Sequence, residues 1–233
     1  MKDIEPITQN TSGKKHFLYQ LIEQGEGTQL DFKFEISDSI KIARSLAAFA
    51  NTIGGKLLVG VKDNGSIAGV RSDEEFYMVQ AAAEMYSKPK IKFEAKSWKI
   101  NGKIVLEIDI PKSKIIPHLA LDDQKKWKAW IRVNDQNILA DDVMHEIWKL
   151  SKQKEGIYLS YKHGERSLLH FLDKNDSITL NHYCKIALIG ESEAVKILGR
   201  LIHLKIIGYK NSEAGTLYSI NKSFDLGNYD RRS

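Results

Sequence analysis

The predicted fold of this chain is built around residues 47–70, which read AAFANTIGGKLLVGVKDNGSIAGV. Its first residues complete an apolar helix, and Asn51 suits the helix end because asparagine tolerates left-handed backbone geometry. Gly54 and Gly55 then allow a tight turn that a Cβ would obstruct. Asn51, Gly54 and Gly55 are therefore predicted to be structural rather than catalytic residues.

The second half of the same stretch predicts a hairpin. Leu57 to Val61 is an apolar run of strand length, as expected for a strand buried on both faces. Asp63-Asn64-Gly65 supplies the turn chemistry that would return Ile67 to Val70 as an antiparallel strand. Very short turns are thus expected to join the helix and the two strands.

Composition narrows the class of protein. The 233 residues are 42% hydrophobic and 28% charged, which is typical of a globular protein with one large or two smaller domains. No run approaches the roughly 18 apolar residues of a membrane span, and no apolar segment follows the polar N-terminus, so neither membrane insertion nor export is expected. The single Cys184 excludes an intramolecular disulfide and fits a cytoplasmic location. A net charge of +5 and a pI near 9.0 favour a polyanionic partner such as nucleic acid.

Periodicity and turn signals predict a mixed α+β domain over residues 14–150. Residues 1–13 lack periodicity and are predicted to be a flexible lead. Helices are predicted at about residues 14–24, 40–50, 72–86 and 141–150, and strands at about residues 30–34, 91–99, 103–110 and 125–133. Asn101-Gly102 is a strong hairpin signal between two of these strands.

The C-terminal part has a different character. A charged stretch at residues 151–156 is predicted to be a linker, followed by a second domain at residues 157–233. Apolar residues at helical spacing predict three helices there, and the sequence from Ile206 to Ile220 predicts a β-hairpin. Three helices followed by a hairpin is the order of a winged helix-turn-helix domain.

Three motifs of the first domain resemble those of a known family: Glu26-Gly-Thr-Gln-Leu-Asp-Phe-Lys33, Ala48-Phe-Ala-Asn-Thr-Ile-Gly-Gly55 and Gly60-Val-Lys-Asp-Asn-Gly65. With Pro117-His118 and Trp130-Ile-Arg-Val133, they resemble the Schlafen-type Alba-like (AlbA) domain. The resemblance implies a mixed-sheet, DNA-binding domain of the kind that precedes a winged helix in transcriptional regulators. Some relatives are labelled ATP-binding, but the sequence contains no Gly-x-x-x-x-Gly-Lys-Ser/Thr phosphate loop.

The same resemblance implies a second hypothesis, a metal-dependent endoribonuclease. Its three catalytic and metal-binding carboxylates would be Glu26, Asp31 and Asp63, holding the Mg²⁺ or Mn²⁺ that activates water. The family usually has Glu where Asp31 stands and often Ser where Gly27 stands. The residues themselves also fit simpler roles: Asp63 as a turn former, Asp31 and Lys33 as a surface ion pair, and Glu26 as an exposed loop acid.

Basic residues provide the candidates for nucleic-acid contact in the first domain, which are Lys33, Lys90, Lys92, Lys96 and Arg132. Lys90, Lys92 and Lys96 share strand parity, and tryptophans lie among the neighbouring lysines. Cations with interleaved aromatic rings suit a phosphate backbone and stacked bases. The alternative is that lysines keep an edge strand soluble and unpaired.

In the second domain the third predicted helix carries the candidate contacts. Lys196, Arg200 and His203 stand at positions i, i+4 and i+7, opposite its apolar side, and Ser192 lies near its N-terminal end. A helix that enters the major groove presents its contacts in this way. The same face could instead serve dimerisation or contact with another protein.

These observations favour a non-enzymatic nucleic-acid-binding protein, with DNA preferred, that acts as a transcriptional regulator without a cofactor. A homodimer is expected because winged-helix regulators commonly match two half-sites. The nuclease with Mg²⁺ or Mn²⁺ is the alternative, and ATP binding is a third hypothesis.

Overall fold

The structure, a computed structural model, describes residues 17–153 and 156–221. The chain divides into two compact units between Ala140 and Asp141. The predicted lead at residues 1–13 lies outside the described residues. In the described part of the chain, no helix has the length and apolar character needed to cross a membrane.

Two sheets and the helices packed on them make up the described part of the first unit. Its helices are α1 (Phe17–Gln24), α2 (Ser39–Asn51) and α3 (Glu74–Glu84). Its strands are β1 (Leu30–Lys33), β2 (Gly55–Val59), β3 (Ser87–Lys88), β4 (Glu94–Ile100), β5 (Lys103–Ile110), β6 (Leu119–Leu121), β7 (Trp127–Val133) and β8 (Gln136–Leu139). The first sheet has the order β1-β2-β5-β4, and the second has the order β3-β6-β7-β8. Because β1 is parallel to β2 while the other pairs are antiparallel, the predicted mixed-sheet α+β architecture is confirmed.

Helix α2 is the most deeply buried helix of the first unit. Asp38 caps it by accepting hydrogen bonds from the N–H groups of Ile40 and Lys41 at 2.8 and 3.3 Å. From Ile42 to Asn51 every residue except Arg44 is buried, because the helix contacts strands of both sheets. A helix that is apolar on nearly all sides requires such surroundings.

The hairpin predicted after β2 forms its turn but not its second strand. The N–H of Lys62 donates to the Ser66 carbonyl at 3.0 Å, and Val61 and Ile67 form an isolated antiparallel bridge. Beyond this bridge the N–H groups of Ala68 and Gly69 both donate to the Gly60 carbonyl, at 2.8 and 2.9 Å, and the N–H of Val70 donates to Ile104 of β5 at 2.7 Å. The predicted strand at residues 67–70 is therefore wrong, because β2 already has β1 on one edge and β5 on the other.

Helix α1 covers the opposite face of the first sheet. Its contacts form a second apolar cluster that includes Leu18, Phe32, Leu58, Trp98 and Val105. The same sheet face carries a buried carboxylate, Glu107, which accepts hydrogen bonds from Trp98 Nε1 and Lys56 Nζ, each at 2.7 Å. Burial works to lower the pKa of Lys56, but its hydrogen bonds to Asp109 and Glu107 raise that pKa overall.

Helices and a hairpin make up the described part of the second unit. Its helices are α4 (Asp142–Leu150), α5 (His163–Lys174), α6 (Leu180–Ala187) and α7 (Glu191–His203). They are followed by the antiparallel strands β9 (Ile207–Ser212) and β10 (Gly215–Ile220). Ile178, before α6, also pairs with Tyr218 of β10. The predicted order of three helices and a hairpin is therefore present, preceded by α4.

Helix α4 groups with the second unit, whereas the sequence analysis assigned it to the first domain and placed the division at residues 151–156. Glu146 of α4 lies so close to α7 that a Cβ added to Gly199 would be 2.7 Å from its Cγ. Asp141, which caps α4, accepts a hydrogen bond from Thr216 of β10 at 2.7 Å. Periodicity shows that α4 has an apolar side, but it does not show which element that side packs against.

Candidate functional site

The glycine turn after α2 is held by close backbone contact. Gly54 has φ +81°, and a Cβ at this position would lie 2.8 Å from both the Ile110 carbonyl oxygen and the Lys112 nitrogen. A Cβ on Gly55 would lie 2.4 Å from the ring of Phe49. Both glycines therefore serve the close packing of helix on sheet.

Asn51 connects the end of α2 to two other segments of the first unit. Its Oδ1 accepts from the His118 N–H at 2.7 Å, and its Nδ2 donates to the carbonyls of His118 and Trp130 at 2.8 and 2.9 Å. The imidazole of His118 bonds to the Pro89 carbonyl and the Ser113 hydroxyl, each at 2.8 Å. Burial lowers the pKa of His118, and the bond to Pro89 opposes that effect. The importance of Asn51 thus lies in its side chain, since the helix ends there without left-handed backbone geometry.

Asp31 lies at the centre of a buried charge cluster beside α2. Its carboxylate is 3.3 Å from Arg132 Nη2 and 2.9 Å from Lys33 Nζ. The Lys33 contact is close but lacks hydrogen-bond geometry, so Asp31 Oδ2 has a nearby charge and no hydrogen-bond partner among the described residues. The ion pair at 2.9 Å still stabilises the carboxylate, because Coulomb attraction depends weakly on angle. Asp31 is therefore a buried, charge-paired residue instead of a solvated surface acid.

Arg132 was predicted to contact nucleic acid, and the structure places it in the interior. Its guanidinium, 1% exposed, donates to the carbonyls of Gly27 and Leu30 at 3.1 and 3.3 Å and to Asn137 Oδ1 at 3.1 Å. It also lies 5.0 Å from the ring centroid of Phe49. The planar, multiply donating guanidinium holds the loop before β1, strand β1 and strand β8 together. This group is not accessible to an external phosphate.

Glu26 lies next to Asp31. Its Oε1 accepts from the N–H of Phe32 at 2.8 Å. Burial raises the pKa of Glu26; the Phe32 N–H lowers it, and the neighbouring Asp31 carboxylate raises it further. Two of the three predicted carboxylates are therefore neighbours, and the Asp31 carboxylate contributes to the raised pKa of Glu26.

The third predicted carboxylate, Asp63, is exposed in the turn after β2. Across residues 17–153 and 156–221, no group of three or more His, Cys, Asp or Glu side chains is arranged to hold a metal ion. The predicted convergence of Glu26, Asp31 and Asp63 is therefore absent from the described part of the chain. Asp63 follows β2 in sequence, but the turn carries it beyond the sheet.

An open pocket of about 440 Å³ lies against this charge cluster. The end of β1, the start of α2 and the β7–β8 hairpin form its walls. Its cationic lining residues are Lys33, Lys41, Arg44 and Arg132, and its acidic ones are Asp31, Glu35, Asp38 and Asp135. The pocket thus combines balanced charge with apolar side chains such as Ile36 and Trp130, a suitable environment for a zwitterionic ligand.

Three further residues line this pocket that were not predicted from the sequence: Lys41, Arg44 and Asn137. Lys41 and Arg44 are three residues apart on α2, so helical spacing could have placed them on one face. Asn137 comes from β8, far along the chain, and donates to Ser45 Oγ at 2.9 Å. Only the tertiary packing of β8 beside α2 brings it to the pocket.

The three predicted lysines around β4 are exposed. Lys90 lies 3.5 Å from Glu84 in a surface ion pair, and Lys96 stands opposite Glu107 in the β4–β5 pairing. Because β4 begins at Glu94, Lys90 and Lys92 precede the strand and the predicted common parity does not apply to them. These lysines are accessible to a polyanion, but they do not form one regular stripe.

Helix α7 presents its predicted contact residues to different degrees. Ser192 and Lys196 are exposed, and His203 is half-buried. Arg200 is 30% exposed and pairs with the buried carboxylate of Glu165 on α5 at 3.2 Å. Arg200 therefore links α7 to α5, while Ser192 and Lys196 remain open to solvent.

A groove of about 580 Å³ runs between α4 and the exposed side of α7. Its lining residues are Asp142, His145, Glu146 and Lys149 from α4, and Glu191, Ser192, Val195 and Lys196 from α7. Acidic side chains from both helices thus line the groove together with Lys149 and Lys196. A partner of α7 would thus meet α4 on one side.

Comparison with known proteins gives matches for part of the chain. The DIP2311 protein from Corynebacterium diphtheriae is 22% identical, with a TM-score of 0.40, over 54% of this chain and 28% of that one. The N-terminal domain of a RecG-related protein from Nitrosomonas europaea is 18% identical, with a TM-score of 0.35, over 63% of this chain and 96% of that domain. No curated protein matches the chain.

A family match covers most of the first unit. Residues 26–141 match the family described as Schlafen, AlbA_2. These residues include Glu26, the α2 helix with Asn51, the glycine turn and the buried Arg132. The chain therefore contains a Schlafen AlbA-type domain, built around helix α2.

Proposed function

We propose that the protein binds DNA through its second unit, which acts as a winged helix-turn-helix domain. The order α5, α6, α7 and the β9–β10 hairpin supports this proposal, as does the pairing of Ile178 with Tyr218. In such domains the last helix presents side chains to the major groove. The observation that carries the proposal is the solvent-exposed side of α7, where Ser192 and Lys196 stand about one helical turn apart.

The AlbA-type domain contributes affinity that is independent of sequence. Its exposed Lys90, Lys92 and Lys96 can neutralise phosphates, in agreement with the net charge of +5. A protein with one sequence-reading unit and one backbone-binding unit suits transcriptional regulation. We further propose a homodimer, which sedimentation of the protein with a palindromic duplex would test.

Fluorescence anisotropy with a labelled DNA duplex tests the role of α7. Lys196→Glu is expected to weaken binding and to reduce the dependence of log K on log salt by about one unit or more. The matched control is Lys174→Glu, which makes the same charge change at the exposed end of α5. Equal losses from the two variants would contradict a specific role for α7.

Binding is proposed ahead of cleavage because Asp31 already faces two cations, Arg132 and Lys33. A hard divalent ion would have to compete with both for this carboxylate. Incubation with DNA, tRNA and single strands, with and without Mn²⁺, separates the two functions. Retarded intact bands support binding, whereas Mn²⁺-dependent products lost in Asp31→Asn would establish the nuclease.

A further inference from the structure

Phe34, just beyond the end of β1, is an aromatic residue with two cations at its ring. The residue is 38% exposed, whereas Phe32, two positions earlier, is 1% exposed. Lys62 Nζ lies 5.3 Å from the ring centroid of Phe34, and the guanidinium carbon of Arg71 lies 5.8 Å from it. The sheet thus ends in an aromatic ring bordered by positive charge.

Backbone hydrogen bonds hold the three side chains near one another. The N–H groups of Gly60 and Val61 both donate to the Lys33 carbonyl, at 2.8 and 3.3 Å, which fixes the chain before Lys62 beside the chain before Phe34. The bond from Val70 to Ile104 similarly fixes the chain before Arg71. The cluster therefore rests on the sheet, although its side chains reach solvent.

The acidic residues near the cluster do not prevent its two cations from contacting another anion. Glu35 Oε2 lies 3.7 Å from Arg71 Nη1, and both side chains are well exposed, at 48% and 75%. Such a long, exposed pair is weak and readily exchanged. Asp63, next to Lys62, is exposed in the turn. Lys62 and Arg71 can therefore turn from the ring toward a phosphate.

We propose that Phe34, Lys62 and Arg71 form a subsite for an unpaired base and its flanking phosphates, an inference that rests on the proposed nucleic-acid binding. A base stacks on the Phe34 ring and displaces the two cations, which then contact the phosphates on either side. Stacking platforms flanked by cations are the means by which proteins hold single strands. The bases of an intact duplex are already stacked on each other, so the subsite favours single-stranded or locally opened DNA.

The test uses a single strand of thymidines with one 2-aminopurine, whose fluorescence changes when the base leaves its neighbouring bases and stacks on a protein ring. Phe34→Leu is expected to weaken single-strand binding by about fivefold or more and to remove this fluorescence change. Phe34→Trp should retain both binding and the fluorescence change. The matched control is Tyr77→Leu on α3, an aromatic residue that is 45% exposed and should be neutral.

A second measurement tests the contribution of the two cations to binding separately from that of the Phe34 ring. The double variant Lys62→Gln/Arg71→Gln should lower the salt dependence of single-strand binding by about 1.4 units, since each neutralised phosphate contributes about 0.7. Duplex affinity should stay within about twofold of wild type in every Phe34 variant. Thermal melting of each variant verifies that it is folded.

Three results would overturn the subsite: single-strand binding that is unaffected by Phe34→Leu, an equal loss on duplex and single strand, or a wild-type protein that binds no single strand. These failures are distinguishable from failure of the winged-helix proposal. Duplex binding that depends on Lys196, with single-strand binding that does not depend on Phe34, would support the winged-helix proposal and contradict the subsite. Single-strand binding that depends on Phe34, without any duplex binding, would support the subsite and contradict the winged-helix proposal.

Discussion

Replacement of Asn51 by alanine should destabilise the first unit more than any exposed asparagine substitution. The change removes an acceptor for the His118 N–H and a donor for the carbonyls of His118 and Trp130. Asn51 is 4% exposed and His118 is 3% exposed, so little water can replace these bonds. Each buried group left unpaired costs about 1–3 kcal/mol, so the three groups together cost about 3 kcal/mol at the lower end of that range.

The expected loss is about 3 kcal/mol. Alanine has the higher helix propensity, but the resulting gain of roughly 0.5 kcal/mol is too small to offset the lost bonds. Domains of this size have about 5–15 kcal/mol of stability, and the change should lower the melting temperature by about 10 °C. Asn51→Asp should cost at least as much, because a carboxylate would face two carbonyl oxygens.

Urea unfolding followed by tryptophan fluorescence measures this loss, since Trp98, Trp127 and Trp130 all lie in the first unit. The matched control is Asn64→Ala in the exposed turn, where Asn64 Oδ1 accepts from the N–H and the hydroxyl of Ser66. This control should cost under about 1 kcal/mol, because water replaces the lost bonds. Equal losses at Asn51 and Asn64 would refute the assigned role of Asn51.

Three further predictions test other features of the first unit. Gly54→Ala should cost about 2 kcal/mol or more of stability in urea unfolding, because the added Cβ would clash with backbone atoms. The control Gly102→Ala has a similar φ of +77° but no atom within 4 Å of the added Cβ, and it should cost about 1 kcal/mol. Equal costs would exclude the backbone clash at Gly54. Because burial lowers the pKa of His118 below its ordinary 6.5, the unfolded chain binds a proton that the folded chain does not, so stability should fall as the pH drops from about 7.5 to about 5.5. Urea titrations at both pH values should show a smaller decline in His118→Gln, and an unchanged decline would contradict this linkage. Arg132→Lys should lose about 2 kcal/mol or more of stability in urea unfolding, because an ammonium cannot replace the several hydrogen bonds of the guanidinium. The same variant should leave DNA affinity in anisotropy assays unchanged. Weaker DNA binding by the folded variant would instead support the contact between Arg132 and nucleic acid that the sequence predicted.

The sequence by itself determined the local elements of this protein. The apolar run of α2 and the Asn101-Gly102 turn specify structure within a few neighbouring residues, and both are present. The order of helices and hairpin in the second unit was likewise readable, since periodicity and turn chemistry are local properties. The motifs of the AlbA-type domain were also recognisable without coordinates.

Tertiary structure alone decided which elements meet. Residues 67–70 had a strand-like pattern, but both edges of β2 were already occupied. The apolar side of α4 could have packed on either domain, and its contacts are with α7. Arg132 was predicted to be a surface cation, but its pairing with Asp31, 101 residues earlier in the chain, places it in the interior. Such contacts depend on the summed packing and solvation of distant segments, which no local pattern encodes.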